Sequence, residues 1–352
     1  MKSLLTLLLT IASLWAFAQQ APMKYSRAQI DLHGQSMQEL ARLGLDVEHG
    51  EGDMEHYYTS DFSERELSQL RAAGFAYEVL IEDVQRHYVE QNQKATPESL
   101  MREMECMYGT QFEVPENFEL GTMGGYFTYE EMLDNLEKMV ELYPDLISPI
   151  EAIDDTLLTH EDRPIYWVRI SDNPNMDEEE PELIYNSLIH AREPNSLAQM
   201  LFYMWYVLEN YDKDPEISYL INETEMYFVP CLNPDGYIYN QTTNPNGGGL
   251  WRKNKRDNNE DGLFMQNEDG VDLNRNFSYQ WGEVNGGSSG NFGSQVYRGP
   301  APFSEPETQN LRNFCAQHNF RIGLNYHSFG NLLIYPFSYN DGLADPRFQE
   351  KG

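Results

Sequence analysis

His190 and Glu193 stand three residues apart in Leu188-Ile189-His190-Ala191-Arg192-Glu193-Pro194-Asn195-Ser196. An imidazole and a carboxylate at that spacing suit two ligands of one zinc ion. A catalytic zinc often takes two histidines and one glutamate and keeps a fourth position for water. The best third ligand is His327, in Leu324-Asn325-Tyr326-His327-Ser328. Such a set supports metal-dependent hydrolysis, because zinc would polarise a peptide carbonyl and acidify its bound water near neutral pH. A His-x-x-Glu pair alone recurs by accident in many chains, so its weight depends on what surrounds it.

Ligands so far apart in sequence can meet only if the fold brings them to one edge. The short apolar or alternating segments Ile165 to Ile170, Glu182 to Ile189, Met226 to Pro230 and Arg321 to Tyr326 read as strands, and Leu197 to Leu208 and Glu305 to His318 read as helices. This alternation predicts an α/β fold with a mixed, mostly parallel sheet and helices on both faces. His190 and His327 each follow such a strand, and ligand sites of open α/β sheets lie beyond the carboxyl ends of strands. A further helix over Tyr129 to Leu142, with Met132, Leu136, Met139 and Val140 at helical spacing, is read as core packing.

Ahead of this region, residues 23–85 alternate strand-like and helix-like patches and form a small α+β unit, with Ser63 and Glu66 spaced as a capping box. Residues 86–113 turn polar, with Gln91, Asn92, Gln93, Lys94 and Pro97, and read as a connector containing a short helix, where processing could occur. Residues 1–18 have a charged start at Lys2, an apolar centre and Ala16-Phe17-Ala18 at the end, the pattern of a signal peptide. The expectation is therefore an exported protein with its main domain over 114–352. No later segment reaches the roughly 20 apolar residues of a membrane span.

The chain has 57 acidic against 24 basic residues and a formal charge of -33, so nucleic acid and anionic membranes would repel it. A solvated acidic surface accounts for this balance, and it does not choose a substrate. Three cysteines, Cys106, Cys231 and Cys315, allow at most one disulfide and are read as buried thiols without chemistry. By themselves Arg252, Lys253, Lys255 and Arg256 read as a basic surface patch. Asp257, Asn259, Asp261, Gly262 and Glu268 fit the spacing of a calcium loop, although the flanks do not suit a helix-loop-helix hand. Calcium is thus the second possibility there, beside an acidic exposed loop.

Five groups of residues follow in order: Asn233-Pro234-Asp235-Gly236-Tyr237, Trp251-Arg252-Lys253-Asn254, Val271-Asp272-Leu273-Asn274-Arg275-Asn276-Phe277, Phe303-Ser304-Glu305-Pro306-Glu307-Thr308, and His327-Ser328 with Tyr335-Pro336. Together with His190 and Glu193, this series resembles the zinc carboxypeptidase family, the relatives of carboxypeptidases A and B, over residues 114–352. The resemblance implies that Asn274 and Arg275 bind the terminal carboxylate of a peptide, a role for which a planar guanidinium is suited. It implies that Arg252 polarises the scissile carbonyl and that Arg192 and Ser328 bind substrate. Phe329 stands where many members carry a tyrosine. The 23–85 unit would correspond to the ferredoxin-like pro-segment that shields the site in many of these enzymes.

The family's general-base glutamate and closing tyrosine are expected well downstream of His327. Glu350, next to the last residue, has no following strand to hold it and is not accepted as that base, so the chain reads as truncated at its C-terminus. The reading is a secreted zinc metallocarboxypeptidase acting on peptide C-termini. Its rivals are an inactive zinc-containing peptide-binding relative and a zinc amidohydrolase of N-acyl amino acids.

Overall fold

The computed structural model describes residues 23–53, 55–94, 113–283, 287–328 and 333–334. Residues 1–18, read above as a signal peptide, residues 95–112 with Cys106, and Phe329, Tyr335, Pro336 and Glu350 lie outside the described residues.

The first unit is built from β1 (Tyr25–Asp31), α1 (Met37–Arg42), β2 (Tyr57–Ser63), α2 (Glu64–Ala72) and β3 (Ala76–Ile81). Its sheet is antiparallel throughout, in the order β2-β1-β3. Alternate residues of β1 and β2 face the helices, so Ala28, Ile30, Tyr58 and Phe62 pack with Leu40 and Leu70 in one apolar cluster. The Ser63–Glu66 box forms: Ser63 N–H donates to Glu66 Oε2 at 2.8 Å, and Glu66 N–H donates to Ser63 Oγ at 3.3 Å. A helix α3 (Val84–Lys94) opens the polar connector, and its Val84 packs with Tyr25 and Leu250 of the second unit.

The second unit begins with α4 (Tyr129–Leu142) and continues through β4 (Glu151–Ala152), β5 (Tyr166–Ile170), β6 (Glu182–Asn186), α5 (Pro194–Asn210), α6 (Pro215–Asn222), β7 (Glu225–Val229), α7 (Pro234–Thr243), α8 (Pro306–Gln317) and β8 (Ile322–Asn325). The sheet order is β4-β5-β7-β6-β8. Strand β6 is parallel to both β7 and β8, whereas β5 is antiparallel to β4 and β7. The described sheet is mixed with a parallel half, a smaller parallel share than the sequence pattern suggests. Alternation of strands and helices alone does not register that β5 runs against its neighbours.

All five residues of β7 are buried, as expected of a central strand covered on both faces. Its side chains alternate between two cores. Met226 and Phe228 pack with Met132, Leu136, Met200 and Trp205 on one face, and Tyr227 and Val229 with Ile184, Leu311 and Phe314 on the other. Cys231 is buried as expected, but Cys315 of α8 is exposed; both are free thiols.

The first turn of α8 carries a wholly buried glutamate, Glu307. Burial, and next the charge of Glu305, push its carboxyl up to about 8. The unfolded carboxyl would lose its proton near its ordinary value of 4.5. Stability tied to the protonated group is therefore fully present below that value and is lost as pH rises towards about 8. The slope is at most about 1.4 kcal/mol per pH unit. Denaturant titrations at pH 5 and pH 8 should show a smaller loss for Glu307→Gln than for the wild type; equal losses would assign the pH dependence to other groups.

Candidate metal centre

The centre lies where β6 and β8 end side by side. Asn186 and Asn325 are paired in parallel register, their amides meet side to side, and Tyr326 N–H donates to Asn186 O at 2.8 Å. His327 follows two residues after β8. After β6 the chain turns sharply at Leu188, whose φ of 51° is sparsely populated for a residue with a side chain. Such a conformation costs of order 1–3 kcal/mol and persists where its surroundings over-determine it. Here Leu188 is fully buried, its N–H donates to Ser196 Oγ at 3.2 Å and its carbonyl accepts from Asn233 N–H at 3.1 Å. Ala191 N–H donates to Arg252 O at 3.1 Å and ties the same loop to the arginine segment. Glu193 caps α5, and Pro194 at the first helical position loses no hydrogen bond there.

This backbone brings His190, Glu193 and His327 together. His190 Nδ1 lies 2.7 Å from Glu193 Oε1, and His327 Nδ1 lies 3.0 Å from Glu193 Oε2. A fourth side chain joins them from the first unit: His49 Nε2 lies 3.2 Å from Glu193 Oε1. One ligand atom from each of the four lies within 4.8 Å of all the others. Zinc–nitrogen bonds of about 2.0–2.1 Å in a tetrahedron imply ligand separations of about 3.3 Å, so this donor set fits a zinc ion. Burial would raise the Glu193 carboxyl, but the three imidazoles around it hold it well below the usual carboxylate range. Burial lowers His327, which favours the neutral imidazole that a metal needs. The far nitrogen of His190, Nε2, lies 3.2 Å from Asp272 Oδ1, the carboxylate–histidine arrangement that fixes a ligand's tautomer and orientation.

Three arginines line the same space. Arg252 is wholly buried, and its Nε donates to Asp272 Oδ2 at 2.9 Å while Nη1 donates to Asp46 Oδ2 at 3.0 Å. Its Nη2 lies 2.9 Å from Asp272 Oδ2 but without hydrogen-bond geometry, and so is a buried donor with no acceptor. Arg192 Nη2 donates to Asp46 Oδ2 at 2.7 Å, and Arg275 Nη2 stands 2.7 Å from Glu48 Oε2. Asn274 reaches this group through its backbone, donating N–H to Asp272 Oδ1 at 3.0 Å. Ser328 N–H donates to Glu193 Oε2 at 3.3 Å.

The model of a family described as zinc carboxypeptidase matches residues 132–350 of this chain. The chain belongs to the zinc carboxypeptidase family. Carboxypeptidase A2 of Mus musculus is 30% identical over 277 residues, 78% of this chain and 58% of that protein. Mast cell carboxypeptidase A of Homo sapiens is 28% identical over 287 residues, 80% of this chain and 60% of that protein. The chain thus spans about three fifths of the length of these relatives. The crystal structure of carboxypeptidase A from Helicoverpa armigera superposes with a TM-score of 0.62 at 26% identity, covering 88% of this chain and 71% of that one. The family resemblance and the mixed α/β architecture read from the ordered motifs are borne out.

Two sequence expectations are corrected within this zinc carboxypeptidase framework. The basic run is not a surface patch: Arg252 and Lys253 are fully buried, and Lys253 Nζ donates to Phe292 O at 2.8 Å. Nor do the calcium-spaced residues gain support as a cation site among the described residues. Asn259 Nδ2 donates to Asp261 Oδ2 at 3.0 Å and to Glu268 Oε2 at 3.2 Å, while Asp257 Oδ2 accepts from Gly262 N–H at 2.7 Å. The carboxylates therefore satisfy the loop's own donors. Asp257, Asp261 and Glu268 form none of the described acidic or histidine groups that could surround an ion.

Sequence reasoning missed four residues. Asp272 stood inside a quoted motif without a role. Asp46, Glu48 and His49 lie in a loop after α1, and in a chain with 57 acidic residues nothing in their spacing singles them out.

Proposed function

We propose that this protein is an exported zinc metallocarboxypeptidase that hydrolyses the C-terminal peptide bond of peptides, with His190, Glu193 and His327 as its zinc ligands. The supporting observation is the company these residues keep: a two-histidine, one-glutamate set beside three arginines that already hold carboxylates. When bound, zinc supplies Lewis-acid polarisation of a carbonyl and acidification of a water.

The chain's own residues do the rest. Arg275 and Arg192, with Asn274 and Ser328, grip and orient the free terminal carboxylate, a task suited to charge-assisted, planar donors. Arg252 offers Nη2, which is ion-paired with Asp272 but makes no hydrogen bond, to the oxygen that gains charge as the carbonyl is attacked. Asp272 keeps His190 oriented and Arg252 aimed. Glu193 is committed to the metal and Asp272 to Arg252 and His190, so the family's glutamate base is a separate residue. Export rests on the leader-like pattern of residues 1–18. Among the described residues no helix is long and apolar enough to cross a membrane.

The test compares one peptide with a free and an amidated C-terminus, incubated with zinc-loaded full-length protein before and after limited trypsin digestion and read by mass spectrometry. Loss of a single C-terminal residue from the free peptide alone is expected. Equal cleavage of both peptides, or of neither under any condition, would overturn the carboxypeptidase reading; turnover of only N-acyl amino acids would replace it with the amidohydrolase.

A further inference from the structure

Resting on that reading of the zinc site, we propose that His49, carried by the first unit, is a fourth zinc ligand, with Asp46 and Arg252 fixing its ring. His49 meets the requirements of a ligand in position, orientation and support. Its ring is buried, with Nε2 at 3.2 Å from Glu193 Oε1 and the ring centroid 5.7 Å from that of His190 and 6.4 Å from that of His327. The opposite nitrogen, Nδ1, lies 2.8 Å from Asp46 Oδ2. Asp46 thus stands to His49 as Asp272 stands to His190, and the two carboxylates are bridged by the same guanidinium, that of Arg252. One arginine therefore braces two carboxylate–histidine pairs that converge on one point from two different units.

The segment is held in this pose by its own unit as well. Ser60 Oγ donates to the His49 carbonyl, and Glu51 and Thr59 exchange backbone hydrogen bonds of 2.8 and 2.7 Å. Next to His49, Gly50 lies so close to the Tyr58 ring that a Cβ would meet it at 2.3 Å. The docking is spread over further contacts: Ser294 Oγ donates to Gly44 O at 2.6 Å, and Arg65 Nη1 to Asn267 O at 2.8 Å.

The chemistry of the segment matches what the site is built to take. A peptide product would present a carboxylate to Arg192 and Arg275 and an oxygen near the metal. Asp46 and Glu48 present carboxylates to these arginines, and His49 would supply the metal with a further imidazole. A three-histidine, one-glutamate shell leaves a four-coordinate zinc no place for water or a carbonyl, the arrangement of a closed site.

Zinc-edge X-ray absorption on the intact zinc-loaded protein counts imidazoles directly. Three imidazoles are expected in the wild type and two in His49→Gln. Cobalt substitution is the second measurement: the visible spectrum of the wild type should not respond to azide, whereas His49→Gln should respond and should release zinc to excess chelator on the order of tenfold faster or more. Two imidazoles in the wild type, with the same azide response in both proteins, would overturn the inference and leave the three-ligand site standing. Failure of the wild-type protein to bind one zinc would remove the site reading and this inference together. The wild-type absorption spectrum decides the matter even if the variant does not fold.

Discussion

Replacing His190 by alanine is expected to weaken one-to-one zinc binding and to lower peptide hydrolysis by about three orders of magnitude or more, since the metal supplies several kcal/mol of transition-state stabilisation. His190 is fully buried and stands between Glu193 and Asp272. Its removal takes away a ligand and also leaves two carboxylates in a dry site without the ring between them. Metal content by mass spectrometry after dialysis, and terminal-residue release from a free peptide, measure the two effects. Full activity in His190→Ala would sink the zinc assignment, because no other described residue offers an imidazole from that loop.

The second large effect belongs to Arg252→Met. The substitution keeps much of the side-chain length but removes the guanidinium shared by Asp46 and Asp272. Burial would raise both carboxyls, and the Arg252 charge is the leading influence that holds each of them low. Breaking a buried ion pair by removing one partner typically costs about 3–5 kcal/mol. The variant should therefore unfold at distinctly lower denaturant concentration. In protein freed of the first unit's grip on the site, hydrolysis should also fall by about 10²–10³-fold, the usual cost of losing one oxyanion donor. Adding Asp46→Asn should restore part of the lost stability, because one of the stranded charges goes with it. If the double variant is as unstable as the sum of the two singles, Arg252 and Asp46 are not coupled and the bridge between the units carries no energy. Lysine should not rescue Arg252→Met, since one ammonium cannot span two carboxylates as a fork does.

Much of this protein is legible in its sequence because it is written locally. The Ser63–Glu66 box needs only three intervening bonds of chain, and β7 reveals itself through the apolar run from Met226 to Val229. His190 and Glu193 share one loop, and Pro194 marks where the helix after them begins. The family's motifs likewise are short strings whose order survives in one dimension.

What the tertiary structure alone decided are the pairings between distant segments. The Asp257–Glu268 loop has the spacing for calcium, and only the folded structure reveals that Asn259 and Gly262 donate to Asp261 Oδ2 and Asp257 Oδ2. Arg252 and Lys253 look like surface charge until the packing around them closes. Asp272 gains its role only when the chain places it behind His190 and beside Arg252. Above all, residue type and spacing in the sequence pointed to His190, Glu193 and His327 as a metal set, and the family resemblance pointed to the arginines beside it. That His49, Asp46 and Glu48 occupy them depends on docking one folded unit against another, and an acidic loop carries no local mark of the surface it will meet.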